Sequence, residues 1–220
     1  MTSTATAPPD RAVESPMPQA AATPPRRRAM QFAGLTAAAA LAIVGVASVA
    51  KGLDGRSQVR NGLAQEHVVG SPHMTPTAVA AKAREAGLQD VALPTCSVAG
   101  KPVADGASAR CFAEYMRVDA LMGTRGATYA EVPRFATADA KGTNDPTQAQ
   151  RSPSGEPVGN PARDVWVTQT ALSTALNTSY MAEQISLFGI AVGAAFLLIG
   201  LAGGVVVVAR RRGSAAARAT

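Results

Sequence analysis

Two cysteines are the residues of this 220-residue chain to which a chemistry is most readily assigned. Cys96 and Cys111 are separated by fourteen residues. A catalytic redox pair more often has the spacing Cys-x-x-Cys, which does not occur in this chain. Two cysteines spaced like Cys96 and Cys111 usually form a disulfide when they lie in an oxidising compartment. Closing a loop of this size would contribute roughly 3 kcal/mol to the free energy of unfolding. We therefore expect a structural disulfide, with two free thiols as the alternative.

The two histidines, His67 and His73, are the other residues that could hold a metal, and Glu66 is adjacent. Their spacing matches no metal motif such as His-Glu-x-x-His, so solvated histidines in a loop near a membrane are the simpler interpretation. The sequence also lacks a Gly-x-Ser-x-Gly elbow, a glycine-rich phosphate loop and a zinc-type cysteine set. We therefore expect no catalytic residue, no metal, no cofactor and no enzymatic activity.

The charges of the chain are distributed very unevenly. Lysine and arginine number 21 and the acids 15, yet the segment 51–183 holds equal numbers of each. The whole excess of +6 lies in the two tails, each outside an uncharged apolar run. This pattern is typical of a two-span membrane protein with both termini in the cytoplasm. Nucleic-acid binding is disfavoured, because the segment between the runs is neutral and poor in aromatic residues.

The second apolar run, residues 185–209, predicts a transmembrane helix. Its 25 uncharged residues suffice to cross a hydrocarbon core of ~30 Å at ~1.5 Å per residue, and Arg210–Arg212 follow directly. The first run, residues 30–50, is richer in alanine and glycine, and a cleaved signal peptide ending at Ser48-Val49-Ala50 is its alternative. Its length exceeds the ~7–15 residues of a usual signal core. Both interpretations place residues 51–184 on the outer, exported side of the membrane.

The remaining segments predict a mainly α-helical membrane protein. Thr75 and Pro76 predict a helix that ends before Gly87, and apolar residues recur at helical spacing from Cys111 to Met122. No proline interrupts residues 164–209, so we expect the last helix of the exported domain to continue into the second span. The predicted order is a disordered basic cytoplasmic tail (1–29), a first span (30–50), an exported domain (51–184) with a disordered loop (137–163), a second span (185–209) and a basic cytoplasmic tail (210–220).

Small residues recur on one face of each apolar run. Close packing of helices in lipid uses such faces, although a glycine- and alanine-rich composition alone would also place small residues there. The antiparallel arrangement predicts Gly204 near Gly34 and Gly189 toward Gly45. The full predicted contact consists of Gly34, Ala38 and Gly45 in the first run and Gly189, Gly193, Gly200 and Gly204 in the second.

Two short motifs carry a family resemblance. Residues 113–117 read AEYMR and residues 128–131 read TYAE, within segments 57–135 and 163–200. These segments resemble a family of uncharacterised bacterial two-span membrane proteins, some of which are labelled as an aromatic ring-opening dioxygenase. The resemblance implies the two-span architecture and supplies no catalytic residues. We interpret the dioxygenase label as a naming artefact, because an iron site needs a cluster of histidines and carboxylates.

These patterns favour a structural or interaction role over catalysis. We expect a small accessory subunit of a plasma-membrane assembly, with a sensor or signalling protein as the alternative and an enzyme as the least favoured. The expected partners are the lipid bilayer and either another membrane protein or a second copy of this chain.

Overall fold

The protein is built from four α-helices and the loops that join them. The computed structural model describes the backbone of residues 25–216 and the side chains of 29–213. The predicted disordered tail falls outside this range for residues 1–24, as do the last four residues of the C-terminal tail. Within the range the structure is mainly helical, with isolated β-bridges and no strand. The helices are α1 (Pro25–Gln65), α2 (Pro76–Glu85), α3 (Gly106–Gly123) and α4 (Pro161–Ala216).

The two longest helices, α1 and α4, pack against each other in antiparallel orientation. Both are long and apolar enough to cross a membrane. α4 runs without a break from Pro161 through the second apolar run, as the absence of an internal proline predicts. α1 likewise continues beyond residue 50 to Gln65, although Gly52, Gly55 and Gly62 lie within it. Each helix therefore extends well past the segment predicted to lie in the membrane.

Two residues after the end of α1, a histidine has an unusual backbone conformation. His67 adopts a φ of 52°, in the left-handed region, and its N–H donates to the Ala64 carbonyl. Histidine is among the residues that enter this region more readily than most. One of the two histidines considered above as metal ligands, His67, therefore has a backbone role in the turn that follows α1.

Between the two long helices, α2 and α3 form a small hydrophobic core. Thr75 caps α2 as predicted, because its side-chain oxygen accepts a hydrogen bond from the Ala78 N–H at 3.2 Å. One buried cluster joins α2 to α3 through side chains such as Val79 and Val118. A second cluster reaches α4 through Trp166, which is 4% exposed. The core thus fixes α3 against the start of α4.

Helix α3 begins earlier than the spacing of its apolar residues predicts. Asp105 is its N-cap: the carboxylate accepts from the Ser108 N–H at 2.8 Å, and the Ser108 hydroxyl accepts from the Asp105 N–H at 3.1 Å. This reciprocal pair is a capping box in which serine replaces the usual Glu or Gln. The helix therefore starts at Gly106, one and a half turns before Cys111.

The segment 137–163, predicted to be a disordered loop, has a defined conformation instead. Backbone hydrogen bonds join Phe135 to Thr143 in both directions at 2.9 and 3.0 Å, and the Gln150 N–H donates to Ala136 at 2.8 Å. Local turns are closed by side chains, since the Asp145 carboxylate accepts from the Thr147 N–H at 2.8 Å. Composition predicted disorder from the scarcity of large apolar residues. Backbone pairing and Asx turns order the chain without them.

Candidate functional site

The two cysteines lie at bonding distance. The sulfur atoms of Cys96 and Cys111 are 2.04 Å apart, and the Cα atoms are 6.0 Å apart. The bond attaches the loop before α3 to the second turn of that helix. Beside it, the Tyr115 hydroxyl donates to the Cys96 carbonyl at 2.7 Å. The two cysteines therefore lie at the hydrophobic core formed by α2 and α3, as a structural disulfide would.

The histidines do not form a cluster with carboxylates. His67 and His73 are exposed, as is Glu66. Among the residues whose side chains are described, no group of three histidine, cysteine, aspartate or glutamate side chains is arranged to hold a metal ion.

Four of the predicted packing residues lie where α1 and α4 come closest. A Cβ added to Gly193 would lie 2.8 Å from the Gly45 carbonyl oxygen, and one added to Gly200 would lie 2.8 Å from the Ala38 carbonyl oxygen. Ala38 itself is 7% exposed. Only the missing side chains at these glycines allow the two backbones to approach so closely.

The other three predicted packing residues have different surroundings. A Cβ on Gly34 would make an ordinary contact of 3.4 Å with Val207, and one on Gly189 would lie 3.9 Å from the Ser48 carbonyl oxygen. A Cβ on Gly204 would meet no atom within 4 Å. The space in front of Gly204 is therefore open, whereas the Cβ position of Gly34 faces Val207. The predicted proximity of Gly204 to Gly34 stays a prediction.

The contact between α1 and α4 extends beyond the residues predicted for it. A Cβ on Gly52 would lie 2.6 Å from the Ser186 carbonyl oxygen, and one on Gly55 would lie 2.7 Å from the Ser186 hydroxyl. The sequence contains a signal for this, since Ala38, Gly45 and Gly52 recur at intervals of seven. A seven-residue repeat keeps one seam of a helix facing its partner. Two of the glycines within α1, Gly52 and Gly55, are thus part of its contact with α4.

A buried carboxylate joins three of the four helices at the end of this contact. Glu183 of α4 is 5% exposed. One of its oxygens accepts hydrogen bonds from Arg56 Nε at 2.9 Å and Arg60 Nε at 3.3 Å, both from α1. The other accepts from the Gly106 N–H at 2.6 Å, at the first turn of α3. Glu183 therefore ties α1, α3 and α4 together through one side chain.

The charge of Glu183 is stabilised by its partners. Burial raises the pKa of this carboxyl group, but the hydrogen bonds from Arg56 and the Gly106 N–H, together with the charge of Arg60, outweigh burial and leave the pKa below its usual value. The amino-terminal end of α3 adds a favourable dipole. Gly106 must remain small, because a Cβ there would lie 2.8 Å from the Tyr180 Cα.

Sequence reasoning did not identify this three-helix junction, although its signal is present. Arg56 and Arg60 are four residues apart, so they share one face of α1. Glu183 is the only charged residue between Asp164 and Arg210. The net charge of a segment indicates topology but does not show which charged residues meet. The antiparallel register of α1 and α4 brings Arg56 and Arg60 to Glu183.

The outward face of α4 carries an exposed stripe without charge. Its members are spaced alternately by four and three residues, and all are exposed. We call it the outer stripe: Val167, Ala171, Thr174, Thr178, Met181, Ile185 and Phe188. Several of its side chains are largely accessible, including Val167 at 56% and Phe188 at 69%. A groove edged by Tyr129 and Trp166 lies beside its first turns.

Comparison of the chain with known protein families, with curated proteins and with solved structures found no match.

Proposed function

We propose that this protein is a two-pass plasma-membrane protein that serves as an accessory interaction subunit of a membrane assembly. In this proposal residues 30–50 and 185–209 span the bilayer, residues 51–184 lie outside and both termini are cytoplasmic. The balance of charge supports the orientation, because the basic excess lies at both ends of the chain.

The single observation that carries the interaction role is the outer stripe of α4. Its first five residues, from Val167 to Met181, precede the proposed span and would lie in water. Large exposed apolar surfaces on soluble parts of proteins commonly mark binding sites. Spacing by four and three residues is the pattern with which one helix packs along another. The proposed binding partner is therefore a helix of another membrane protein, or of a second copy of this chain, that packs along the stripe.

Site-specific photocrosslinking tests this proposal. A benzophenone amino acid at Thr174, introduced into the full-length protein in its native membrane, should yield one predominant protein adduct of defined mass. An adduct of twice the monomer mass identifies a second copy, and any other discrete mass is identified by peptide mass spectrometry. The same probe at Ser154, an exposed residue of the 137–163 segment, is the matched control and should yield no such adduct.

A charge in the stripe separates specific binding from accidental proximity. Ala171→Glu places a carboxylate in the stripe three residues before Thr174, where it would be desolvated on contact with a partner helix. The adduct from Thr174 should then disappear while the amount of membrane-inserted protein stays constant. Equal labelling from Thr174 and Ser154, or an adduct insensitive to Ala171→Glu, would show that the stripe is not a binding surface.

A further inference from the structure

A second feature, the groove near the arginine-bearing ends of α1 and α4, has a different chemistry from the outer stripe. It is an open groove of about 770 Å³ between residues 35–42 of α1 and residues 200–212 of α4. Its lining is apolar along its length, and the single charged side chain in the lining is Arg212, at one end. We call it the arginine-end groove.

The groove exists because small residues occupy both of its walls. Gly200 brings the helices to backbone contact with Ala38 and Ala42. One turn further along α4, Gly204 meets no atom within 4 Å and leaves the space beside this contact unfilled. On the α1 side, Ala39 is exposed and too short to fill it. Unfilled apolar space forfeits dispersion contacts on its lining, so an apolar occupant would be stabilised there.

The length and position of the groove match one leaflet of a bilayer. From Gly200 to Arg212 it follows α4 for about 18 Å at ~1.5 Å per residue. Half of a hydrocarbon core of ~30 Å is slightly shorter. The groove therefore extends from near the proposed midplane to the arginine-bearing boundary, which is the path of one lipid acyl chain.

The charges at the open end indicate which lipid would fit. Arg212 lines the groove and is exposed, and Arg210 and Arg211 precede it. The Arg211 guanidinium lies 4.8 Å from the centroid of the Phe32 ring, so it is held against α1. Arginine pairs well with phosphate, and basic residues at this level attract anionic headgroups.

We propose that the arginine-end groove binds one acyl chain of an anionic phospholipid whose phosphate pairs with Arg212. This inference rests on the proposed membrane location. Gly204 and Ala39 thereby leave room for a lipid rather than contribute to the contact between α1 and α4, which accounts for the empty surroundings of Gly204.

Lipid retention by the full-length protein tests the proposal. The protein is reconstituted into phosphatidylcholine vesicles containing a minor fraction of phosphatidylglycerol, extracted in mild detergent, and weighed with its retained lipids by native mass spectrometry. About one retained lipid per chain is expected. It should be enriched in phosphatidylglycerol over the vesicle composition by roughly fivefold, because this headgroup carries a net negative charge that Arg212 attracts, whereas phosphatidylcholine is zwitterionic. Arg212→Gln should abolish the enrichment while a lipid is still retained.

Filling the groove should remove the lipid itself. Gly204→Leu places a side chain where no atom lies within 4 Å, and Ala39→Leu fills the same space from α1 if the first variant inserts poorly. Both should lose retained lipid severalfold. Ala195→Leu, which adds the same atoms on an exposed part of α4 outside the groove, should not.

The outcomes distinguish this proposal from the membrane location on which it rests. If the protein fails to float with the vesicles, the membrane location is wrong and the groove falls with it. If the protein floats but retains both lipids in proportion to the vesicle, the groove proposal alone is wrong. If phosphatidylglycerol is enriched but Gly204→Leu and Ala39→Leu do not reduce retention, the arginines bind the headgroup and no chain occupies the groove, which also overturns the proposal.

Discussion

Glu183 combines deep burial with three strong hydrogen bonds, two from arginines and one from a backbone N–H. Its arginine partners keep part of their surface in water, with Arg56 37% and Arg60 45% exposed. The removal of the carboxylate therefore leaves these cations solvated, but it also leaves the Gly106 N–H without its acceptor. A surface ion pair has no such consequence, because water replaces the lost partner.

We expect Glu183→Gln to lower the free energy of unfolding at neutral pH by about 1–3 kcal/mol, the usual contribution of hydrogen bonds to a charged group. Thermal unfolding of the detergent-solubilised protein measures this. The matched control is Glu114→Gln, since Glu114 pairs with Arg110 at 3.4 Å on the exposed surface. That variant should change stability by less than about 0.5 kcal/mol. Equal effects of the two substitutions would contradict the junction described for Glu183.

The pH dependence has a definite sign. The pKa of Glu183 is lowered in the folded protein from an ordinary value of 4.5. The unfolded state therefore binds its proton more readily, so the stabilising contribution is complete above about pH 4.5 and is lost as the pH falls through the folded pKa. The difference in stability between the native protein and Glu183→Gln should be constant near neutral pH and shrink in acid. A difference that grows in acid would be inconsistent with a lowered pKa.

The contact between α1 and α4 follows a seven-residue repeat in both helices. Ala38, Gly45 and Gly52 of α1 face residues of α4 that are also spaced by seven, namely Gly200, Gly193 and Ser186. Sequence spacing identified four residues of this contact, and mixed steps of four and seven added Gly34, Gly189 and Gly204 to it. An α-helix has 3.6 residues per turn, so a step of four alone rotates away from a seam that steps by seven.

Substitutions in this repeat show whether its glycines are needed for the packing of α1 against α4 or only reflect a glycine-rich sequence. Gly193→Leu introduces a side chain against the Gly45 backbone, and overpacking of this kind costs about 1–3 kcal/mol. Gly204→Leu adds the same side chain where nothing lies within 4 Å, so it is the matched control. Disulfide formation between Gly34→Cys and Val207→Cys, measured by peptide mapping, should fall in the Gly193→Leu background and persist with Gly204→Leu. Equal yields in the two backgrounds would mean that the glycines reflect composition alone.

For the helices and their contacts, sequence features that depend on neighbouring residues predicted more of the structure than features that depend on residues far apart in the chain. The Thr75 cap and the uninterrupted pattern of α4 depend on neighbouring residues, so the sequence identifies them directly. The junction at Glu183 depends on residues more than 120 positions apart, Arg56 and Arg60, whose meeting is set by the register of α1 against α4. That register follows from backbone approach at glycines, and the spacing of small residues within each helix does not state which residue of α1 faces which residue of α4.

On the scale of the whole molecule, the register also bears on whether the first apolar run is removed. Gly45 and Gly52 lie on opposite sides of Ala50, the end of the alternative signal sequence, and both contact α4. Cleavage after Ala50 would keep Gly52 and Arg56 but remove Ala38 and Gly45. Gly193 and Gly200 would then face lipid, where close-packed small residues lose the contacts that stabilise helix association.

We therefore expect the mature protein to retain its first apolar run and to cross the membrane twice. Intact-mass measurement of the membrane-extracted protein should show no loss of residues 1–50. A reporter enzyme that is active only when exported should be active when fused at residue 140. A reporter that is active only in the cytoplasm should be active when fused after Arg212. A cytoplasmic signal at residue 140 would refute the two-span arrangement. Loss of about 50 residues with export preserved would instead identify the run as a signal peptide, and the repeat from Ala38 to Gly52 could then have no role in the mature protein beyond Gly52 itself.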